Sequence, residues 1–137
     1  MASRNYSFVI PAYNDAAGIQ THLNYFFARP ETIQLVIVDD GSTDGTEEII
    51  RKATPPGNVT LTYHRQPSNG GPARARNSGR DLVTGDYVMF LDADDVLADC
   101  FFDYIRLAPL ENGADFVLFK YHLARRPAER YTYEMHQ

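Results

Sequence analysis

Three aspartates stand within four residues at the end of an apolar run. The run is Tyr87–Leu91, which predicts a buried strand, and the carboxylates are Asp92, Asp94 and Asp95. Like charges at this spacing raise one another's pKa unless a positive group lies among them. Carboxylate oxygens are hard ligands for Mg²⁺ or Mn²⁺, and such an ion usually binds substrate phosphates as well. The segment therefore predicts a divalent-metal site, with a solvated loop that caps the following helix as the alternative.

Two further polar segments follow predicted strands. "PAYND" (residues 11–15) comes after the first strand, and "DDGSTDG" (residues 39–45) comes after the second. Neither has the glycine spacing of a dinucleotide-binding loop or of a P-loop, so both of those nucleotide sites are disfavoured. Aspartate, glycine, serine and threonine are also common in ordinary turns between a strand and a helix. The convergence of three polar segments on one edge of a sheet indicates function more strongly than any one of them does.

The elements that must position these segments alternate along the chain. Short β-rich runs are separated by longer amphipathic runs, which is the pattern of parallel α/β units. The strands are predicted at Tyr6–Pro11, Ile33–Asp40, Asn58–Arg65, Tyr87–Leu91 and Asp115–Leu123. The helices are predicted at Ala16–Ala28, from a capping box of Asp44 and Glu47 onward, at Ala73–Leu82 and at Ala98–Leu110. The predicted fold class is α/β, a Rossmann-like, open and mostly parallel sheet with helices on both faces, and such sheets bind ligands at the carboxyl ends of their strands.

Composition restricts the class of protein. The 137 residues suffice for one domain with a core. The net charge of −5 argues against a nucleic-acid binder. One cysteine, Cys100, fits a reducing and therefore cytoplasmic compartment. The four histidines are too dispersed for the ligand spacing of a zinc site.

Four segments together resemble a known family. In order they are "FVIPAYND", "LVIVDDGSTDGT", "NGGPARARNSG" and "GDYVMFLDADD". They resemble the family 2 glycosyltransferases, enzymes of the GT-A fold that use nucleotide-diphosphate sugars. The resemblance runs from Phe8 to Val96, and the predicted strand that ends at Leu123 extends it. It implies a GT-A type sheet and an inverting sugar transfer, as in the synthesis of surface polysaccharides at the inner face of a membrane.

The resemblance implies a nucleobase site at the ends of the first two strands. By similarity, Pro11, Ala12 and Tyr13 form a shelf under the base, with the Tyr13 ring in contact with it. Asp40, or its neighbour Asp39, is similar to the carboxylate that accepts a hydrogen bond from a ring N–H. Uracil carries a proton on N3 and cytosine does not, so a carboxylate acceptor favours uridine. Guanine and thymine also offer a ring N–H. The expected donor is therefore UDP-sugar-like, and the nucleobases that carry a ring N–H stay open as alternatives.

The resemblance also implies a diphosphate and metal site. "DAD" at residues 92–94 resembles the D-x-D motif of the family, in which Asp92 is expected at the ribose and the metal, and Asp94 at the metal. Asp95 can also bind the metal, because either aspartate of the doublet Asp94–Asp95 can correspond to the last aspartate of the D-x-D motif. Arg76 matches a family position near the nucleotide and could supplement the metal at the diphosphate. The implied cofactor is Mn²⁺ or Mg²⁺.

The resemblance does not extend to an acceptor site. Inverting transfer needs a general base that deprotonates the acceptor hydroxyl. The family's acidic pair and its Q-x-x-R-W-like segment are not found, and neither Glu129 nor Glu134 is assigned this role. We therefore expect a truncated fold: residues 1–123 form the donor-binding domain, and residues 124–137 form an irregular tail that starts a missing acceptor-binding part. The acceptor, a sugar or a lipid-linked molecule, is unknown, and an exposed edge at Asp115–Leu123 predicts self-association.

Two other classes of protein stay open as alternatives. A non-catalytic nucleotide-binding module would keep the donor site without the chemistry. A receiver-like signalling domain also has an acidic doublet at a strand end and a late lysine, for which Asp39–Asp40 and Lys120 are the candidates. A receiver's doublet follows its first strand, whereas this one follows the second, and Lys120 is not followed by proline. The receiver alternative is therefore disfavoured.

Overall fold

The computed structural model describes residues 4–107. The chain divides into two compact units, Met1–Val96 and Leu97–Gln137. In the first unit the strands are β1 (Asn5–Ala12), β2 (Thr32–Asp39), β3 (Val59–Arg65) and β4 (Tyr87–Phe90). Its helices are α1 (Ala16–Phe27), α2 (Thr46–Lys52) and α3 (Pro72–Arg80). In the second unit the structure describes one helix, α4 (Phe101–Leu107).

The four described strands form one parallel sheet in the order β3-β2-β1-β4. This arrangement confirms the predicted open, parallel α/β sheet. Ala12 pairs with Asp39, and Asp39 pairs with Arg65, so the carboxyl ends of β1, β2 and β3 are aligned. The chain order reverses at β1, which lies between β2 and β4. The carboxyl ends of β1 and β4 therefore flank the switch point at which such sheets bind ligands.

Helices cover both faces of this sheet, as predicted. Successive residues of a strand point to opposite faces, so Phe8 and Val9 of β1 face different layers. The Phe8 ring lies 4.5 Å from the Phe26 ring of α1, measured between centroids. On the other face, Val9 belongs to a buried cluster with Ala75 of α3. Burial on both faces explains why β1 and β2 are almost continuously apolar.

The strand predicted at Tyr87–Leu91 is present as β4, but the prediction that it is buried was wrong. β4 ends at Phe90 and pairs with β1 alone among the described strands, and the side chains of Val88 and Phe90 are 47% and 43% exposed. The apolar composition of the run signals β structure, but it does not distinguish a central strand from an edge strand. The predicted strand Asp115–Leu123 and the tail that follows it lie outside the described residues, so the expected self-association stays a prediction.

The predicted capping box at α2 was also wrong. The helix begins at Thr46. Its N-cap residue is Gly45, which lies in the left-handed region with φ of 89° and has no side chain that could cap the helix. The Asp44 carboxylate instead accepts hydrogen bonds from the Thr46 amide at 3.2 Å and from the amide of Ala16 at 3.0 Å. Asp44 therefore ties the start of α2 to the start of α1, a contact that local spacing cannot predict.

The close approach of α3 to the sheet depends on Gly79. A Cβ at this position would lie 2.4 Å from Cγ1 of Val9 and 3.1 Å from Cγ2 of Val38. Even a methyl group would push the helix away from β1 and β2, because buried valines are close-packed. The absence of a side chain at Gly79 thus sets the height of α3 above the sheet.

We predict that Gly79→Val lowers the free energy of unfolding by about 1–3 kcal/mol, through overpacking against Val9 and Val38. Urea denaturation of this chain, followed by circular dichroism, measures the change. Gly57→Val is the matched control, since a Cβ at Gly57 has no atom within 4 Å. An equal loss of stability in both variants would contradict the proposed close packing.

Candidate functional site

The acidic loop, residues 92–95, follows β4 at the carboxyl edge of the sheet. Ala93 is buried, whereas Asp92, Asp94 and Asp95 are exposed. The amide of Asp95 donates a hydrogen bond to the carbonyl oxygen of Asp92 at 3.1 Å, which closes the loop into a turn. Each of the three aspartates offers one oxygen, and these oxygens lie within 4.8 Å of one another. The three carboxylates predicted to share a site are therefore brought together.

Electrostatic repulsion acts within the acidic loop. Although Asp95 is exposed, partial desolvation by the surrounding protein, followed by the negative charges of Asp92 and Asp94, raises the pKa of its carboxyl above the usual range. One positive group is already present, since Nη2 of Arg76 donates to Oδ1 of Asp92 at 2.7 Å. Arg76 is carried on α3, and this ion pair connects α3 to the end of β4. A set of three hard, exposed oxygen donors fits a divalent cation such as Mg²⁺ or Mn²⁺.

His22 of α1 contacts the acidic loop from the protein interior. Its side chain is 1% exposed, and Nε2 lies 3.1 Å from the carbonyl oxygen of Asp92. A carbonyl oxygen can only accept, so Nε2 carries the proton and donates. Burial lowers the pKa of His22, which keeps the imidazole neutral at neutral pH. Sequence reasoning missed this residue, because it considered the histidines only as zinc ligands and 70 residues separate His22 from Asp92.

The segment after β1 presents an aromatic ring at the same edge. Pro11 and Ala12 lie in β1 itself, and the side chain of Tyr13 is 54% exposed just beyond it. Asn14 follows with φ of 50°, a left-handed conformation that asparagine tolerates better than most residues. The Asn14 amide donates to Oγ of Ser42 at 2.9 Å, so the loop after β1 is tied to the loop after β2.

Asp39 is enclosed by the protein. Its exposed fraction is 0%, and its carboxylate accepts hydrogen bonds from three donors. The Ser42 amide binds Oδ1 at 2.8 Å, while the Tyr63 hydroxyl at 2.8 Å and Nη1 of Arg65 at 3.3 Å bind Oδ2. Burial and the hydrogen bond to this carboxylate raise the pKa of Tyr63 to about 12. Through these contacts, Asp39 connects the end of β2 to β3 and to the loop that follows β2.

Asp40 holds the loop that precedes α3. Its Oδ1 accepts from the Gly70 amide and its Oδ2 accepts from the Gly71 amide, both at 2.9 Å. Each carboxylate oxygen has a second lone pair, so Asp40 retains acceptor capacity. Gly71 is the N-cap of α3 and has φ of 85°, a conformation that favours glycine. Asp40 thereby sets where α3 begins, and α3 carries Arg76.

Comparison with known proteins identifies the class. The model of the family described as "Glycosyl transferase family 2" matches residues 7–136. The chain therefore belongs to glycosyl transferase family 2, which decides against the receiver-like alternative.

Three relatives illustrate the similarity. The amylovoran biosynthesis glycosyltransferase AmsB of Erwinia amylovora is 40% identical over 99 residues, which are 69% of this chain and 32% of AmsB. The structure of TarS 1–349 of Staphylococcus aureus in complex with UDP-GlcNAc superposes with a TM-score of 0.66 and 28% identity, over 74% of this chain and 30% of that one. The mannosyltransferase PcManGT of Pyrobaculum calidifontis, in complex with GDP-Man and Mn²⁺, gives a TM-score of 0.62 and 28% identity, over 69% and 28% of the two chains.

These similarities confirm the predicted GT-A fold class. This chain spans between 16% and 41% of the length of the curated relatives compared with it. Within residues 4–107, each helix is too short or too polar to cross a bilayer.

We predict that Tyr63→Phe lowers the free energy of unfolding by about 1–3 kcal/mol, because the buried Asp39 carboxylate loses a hydrogen-bond donor. Chemical denaturation measures this difference. Tyr13→Phe removes the same hydroxyl from an exposed ring and should change the stability by less than about 0.5 kcal/mol. Equal stability of the two variants would show that Asp39 does not depend on Tyr63.

Proposed function

We propose that this chain is the donor-binding part of an inverting glycosyltransferase. It binds a nucleotide-diphosphate sugar, of which a UDP-sugar is favoured, together with Mn²⁺ or Mg²⁺, and the enzyme transfers the sugar to a sugar or lipid-linked acceptor. The observation that carries the proposal is the acidic loop. In a chain of family 2, three carboxylate oxygens lie within 4.8 Å of one another next to the switch point of the sheet.

The metal part of the proposal rests on charge. Asp92, Asp94 and Asp95 would hold the ion, and the ion would stabilise negative charge on the departing diphosphate. Arg76 supports this task, since its guanidinium lies at the acidic loop and its remaining N–H groups can donate to phosphate oxygens. The binding of Mn²⁺ and GDP-Man by PcManGT, to which this chain is similar, supports the same assignment.

The nucleoside part of the proposal rests on the ends of β1 and β2. Pro11, Ala12 and Tyr13 form the shelf for the base, and the exposed ring of Tyr13 is available for stacking. Asp40 rather than Asp39 is proposed as the acceptor for the ring N–H of the base. The reason is that Asp39 is 0% exposed and already accepts from three donors, whereas Asp40 is 5% exposed and accepts from two, so Asp40 has more acceptor capacity left.

Acceptor binding and the general base are proposed to belong to a further part of the enzyme. Residues 1–123 would form the donor-binding domain, and residues 124–137 would begin the acceptor-binding part. The expected setting is polysaccharide synthesis at the inner face of a membrane, supported by the similarity to a glycosyltransferase of amylovoran biosynthesis. The alternative is a non-catalytic nucleotide-binding module, which differs from the donor-binding part of a transferase in that the full-length protein supplies no general base.

We predict that UDP binds this chain in the presence of Mn²⁺ and binds at least about tenfold more weakly with EDTA, which corresponds to ~1.4 kcal/mol. Isothermal titration calorimetry measures both affinities. Asp94→Asn should reproduce the effect of EDTA with Mn²⁺ present, because it removes one charged ligand. Asp81→Asn, which neutralises an exposed carboxylate at the end of α3, is the matched control. Metal-independent binding of UDP would refute the metal assignment.

We further predict that UDP binds at least about tenfold more tightly than CDP, since a hydrogen bond to a charged acceptor contributes ~1.5–3 kcal/mol. N3 of cytosine would face the Asp40 carboxylate without a proton to donate. Competition titrations with UDP, GDP, TDP and CDP measure the order of affinities. Equal affinities for UDP and CDP would exclude a carboxylate as the reader of the base.

A further inference from the structure

Two residues of α1 contact the backbone of the acidic loop, one helical turn apart. Gly18 and His22 have the spacing i and i+4, which places them on the same face of the helix. A Cβ at Gly18 would lie 2.3 Å from the carbonyl oxygen of Ala93, so the loop passes directly over the glycine. At the next turn, Nε2 of His22 donates to the carbonyl oxygen of Asp92 at 3.1 Å. We name this pair of contacts the α1 seat.

The α1 seat acts on the turn that arranges the carboxylates. The carbonyl oxygen of Asp92 accepts two hydrogen bonds, one from the Asp95 amide and one from His22, each at 3.1 Å. The first closes the turn, and the second fixes the closed turn to α1. Repulsion among the exposed carboxylates of Asp92, Asp94 and Asp95 favours an opened loop while no cation is bound. A firm backbone anchor opposes that opening.

The chemistry of His22 indicates more than packing. Its side chain is 1% exposed, and a leucine could fill a similar volume without a polar group to satisfy. Burying a polar ring is unfavourable unless the ring is hydrogen-bonded, and the partner that it meets is the backbone of the acidic loop. At Gly18, a side chain would occupy the space through which the loop passes, and its Cβ would also lie 2.6 Å from the carboxylate of Asp15, the N-cap residue of α1.

We propose that Gly18 and His22 are positioning residues that hold the acidic loop in its metal-binding conformation. This inference rests on the proposed function, since it assumes that the loop binds a divalent cation. Neither residue touches the ion or the nucleotide in this scheme. They set the distances among the carboxylates before the ion arrives, which raises the affinity for the metal in the way that outer-shell partners do at other metal sites.

The experiment compares His22→Leu with His22→Gln in the whole chain. Leucine removes the donor, whereas glutamine carries an Nε2–H₂ donor the same number of bonds from Cβ as the imidazole Nε2. With saturating UDP, Mn²⁺ affinity is measured by electron paramagnetic resonance of the unbound ion. We expect His22→Leu to weaken Mn²⁺ binding by about 10–100-fold and His22→Gln to restore most of it. His64→Leu is the matched control, because it removes a hydrogen-bonding histidine from β3.

Hydrogen–deuterium exchange of the Asp95 amide, without metal or nucleotide, gives a second readout. We expect His22→Leu to accelerate this exchange and His64→Leu to leave it unchanged. Gly18→Ala tests the other contact with the same two measurements and covers the case in which His22→Leu does not fold. Circular dichroism and thermal unfolding report folding for every variant.

The outcomes separate the inference from the proposed function. If the wild-type chain binds Mn²⁺ and folded His22→Leu binds it equally well, the positioning role is overturned and the metal site stands. The same holds if His22→Gln fails to restore the affinity that leucine removes, since the loss would then come from packing. If the wild-type chain binds no Mn²⁺ with any nucleotide diphosphate, the proposed function fails and the inference fails with it.

Discussion

Repulsion among three neighbouring carboxylates is the constraint on which the candidate site depends. Asp92, Asp94 and Asp95 are held close together, and the pKa of Asp95 is raised by partial desolvation and then by the negative charges of its two neighbours. The protein opposes this repulsion from two sides. Arg76 of α3 neutralises part of the charge at Asp92 through its ion pair, and His22 of α1 anchors the backbone of the loop. The negative charge that these contacts do not neutralise would be balanced by a bound divalent cation.

The two aspartates at the end of β2 show how neighbouring identical residues acquire different tasks. Successive side chains of a strand point in opposite directions, and the strand ends between them. Asp39 is turned toward β3, where Tyr63 and Arg65 enclose it. Asp40 is turned toward the loop before α3, where the amides of Gly70 and Gly71 bind it. One doublet thus joins the sheet to α3, and α3 brings its arginine to the acidic loop.

Several features could be predicted because they depend on local pattern. Alternating apolar runs indicated the parallel sheet, and the strand-end positions of "PAYND", "DDGSTDG" and "DADD" indicated a shared edge. The wrong predictions concern features that depend on contacts between residues far apart in the chain. The exposure of Val88 and Phe90 depends on which strands lie beside β4, and Asp44 binds an amide of α1 in addition to Thr46 of its own helix. His22 was missed for the same reason.

The sequence by itself determined the class of fold and the residue types available at the carboxyl edge of the sheet, because these follow from order and spacing along the chain. The family followed from the resemblance of four segments to known glycosyltransferases. Only the tertiary structure decided which donors bind Asp39 and which bind Asp40, which basic side chain pairs with Asp92, and which helix contacts the acidic loop. Those assignments depend on contacts between residues far apart in the chain, such as His22 with Asp92. Packing of the helices on the sheet creates such contacts, and no local pattern encodes them.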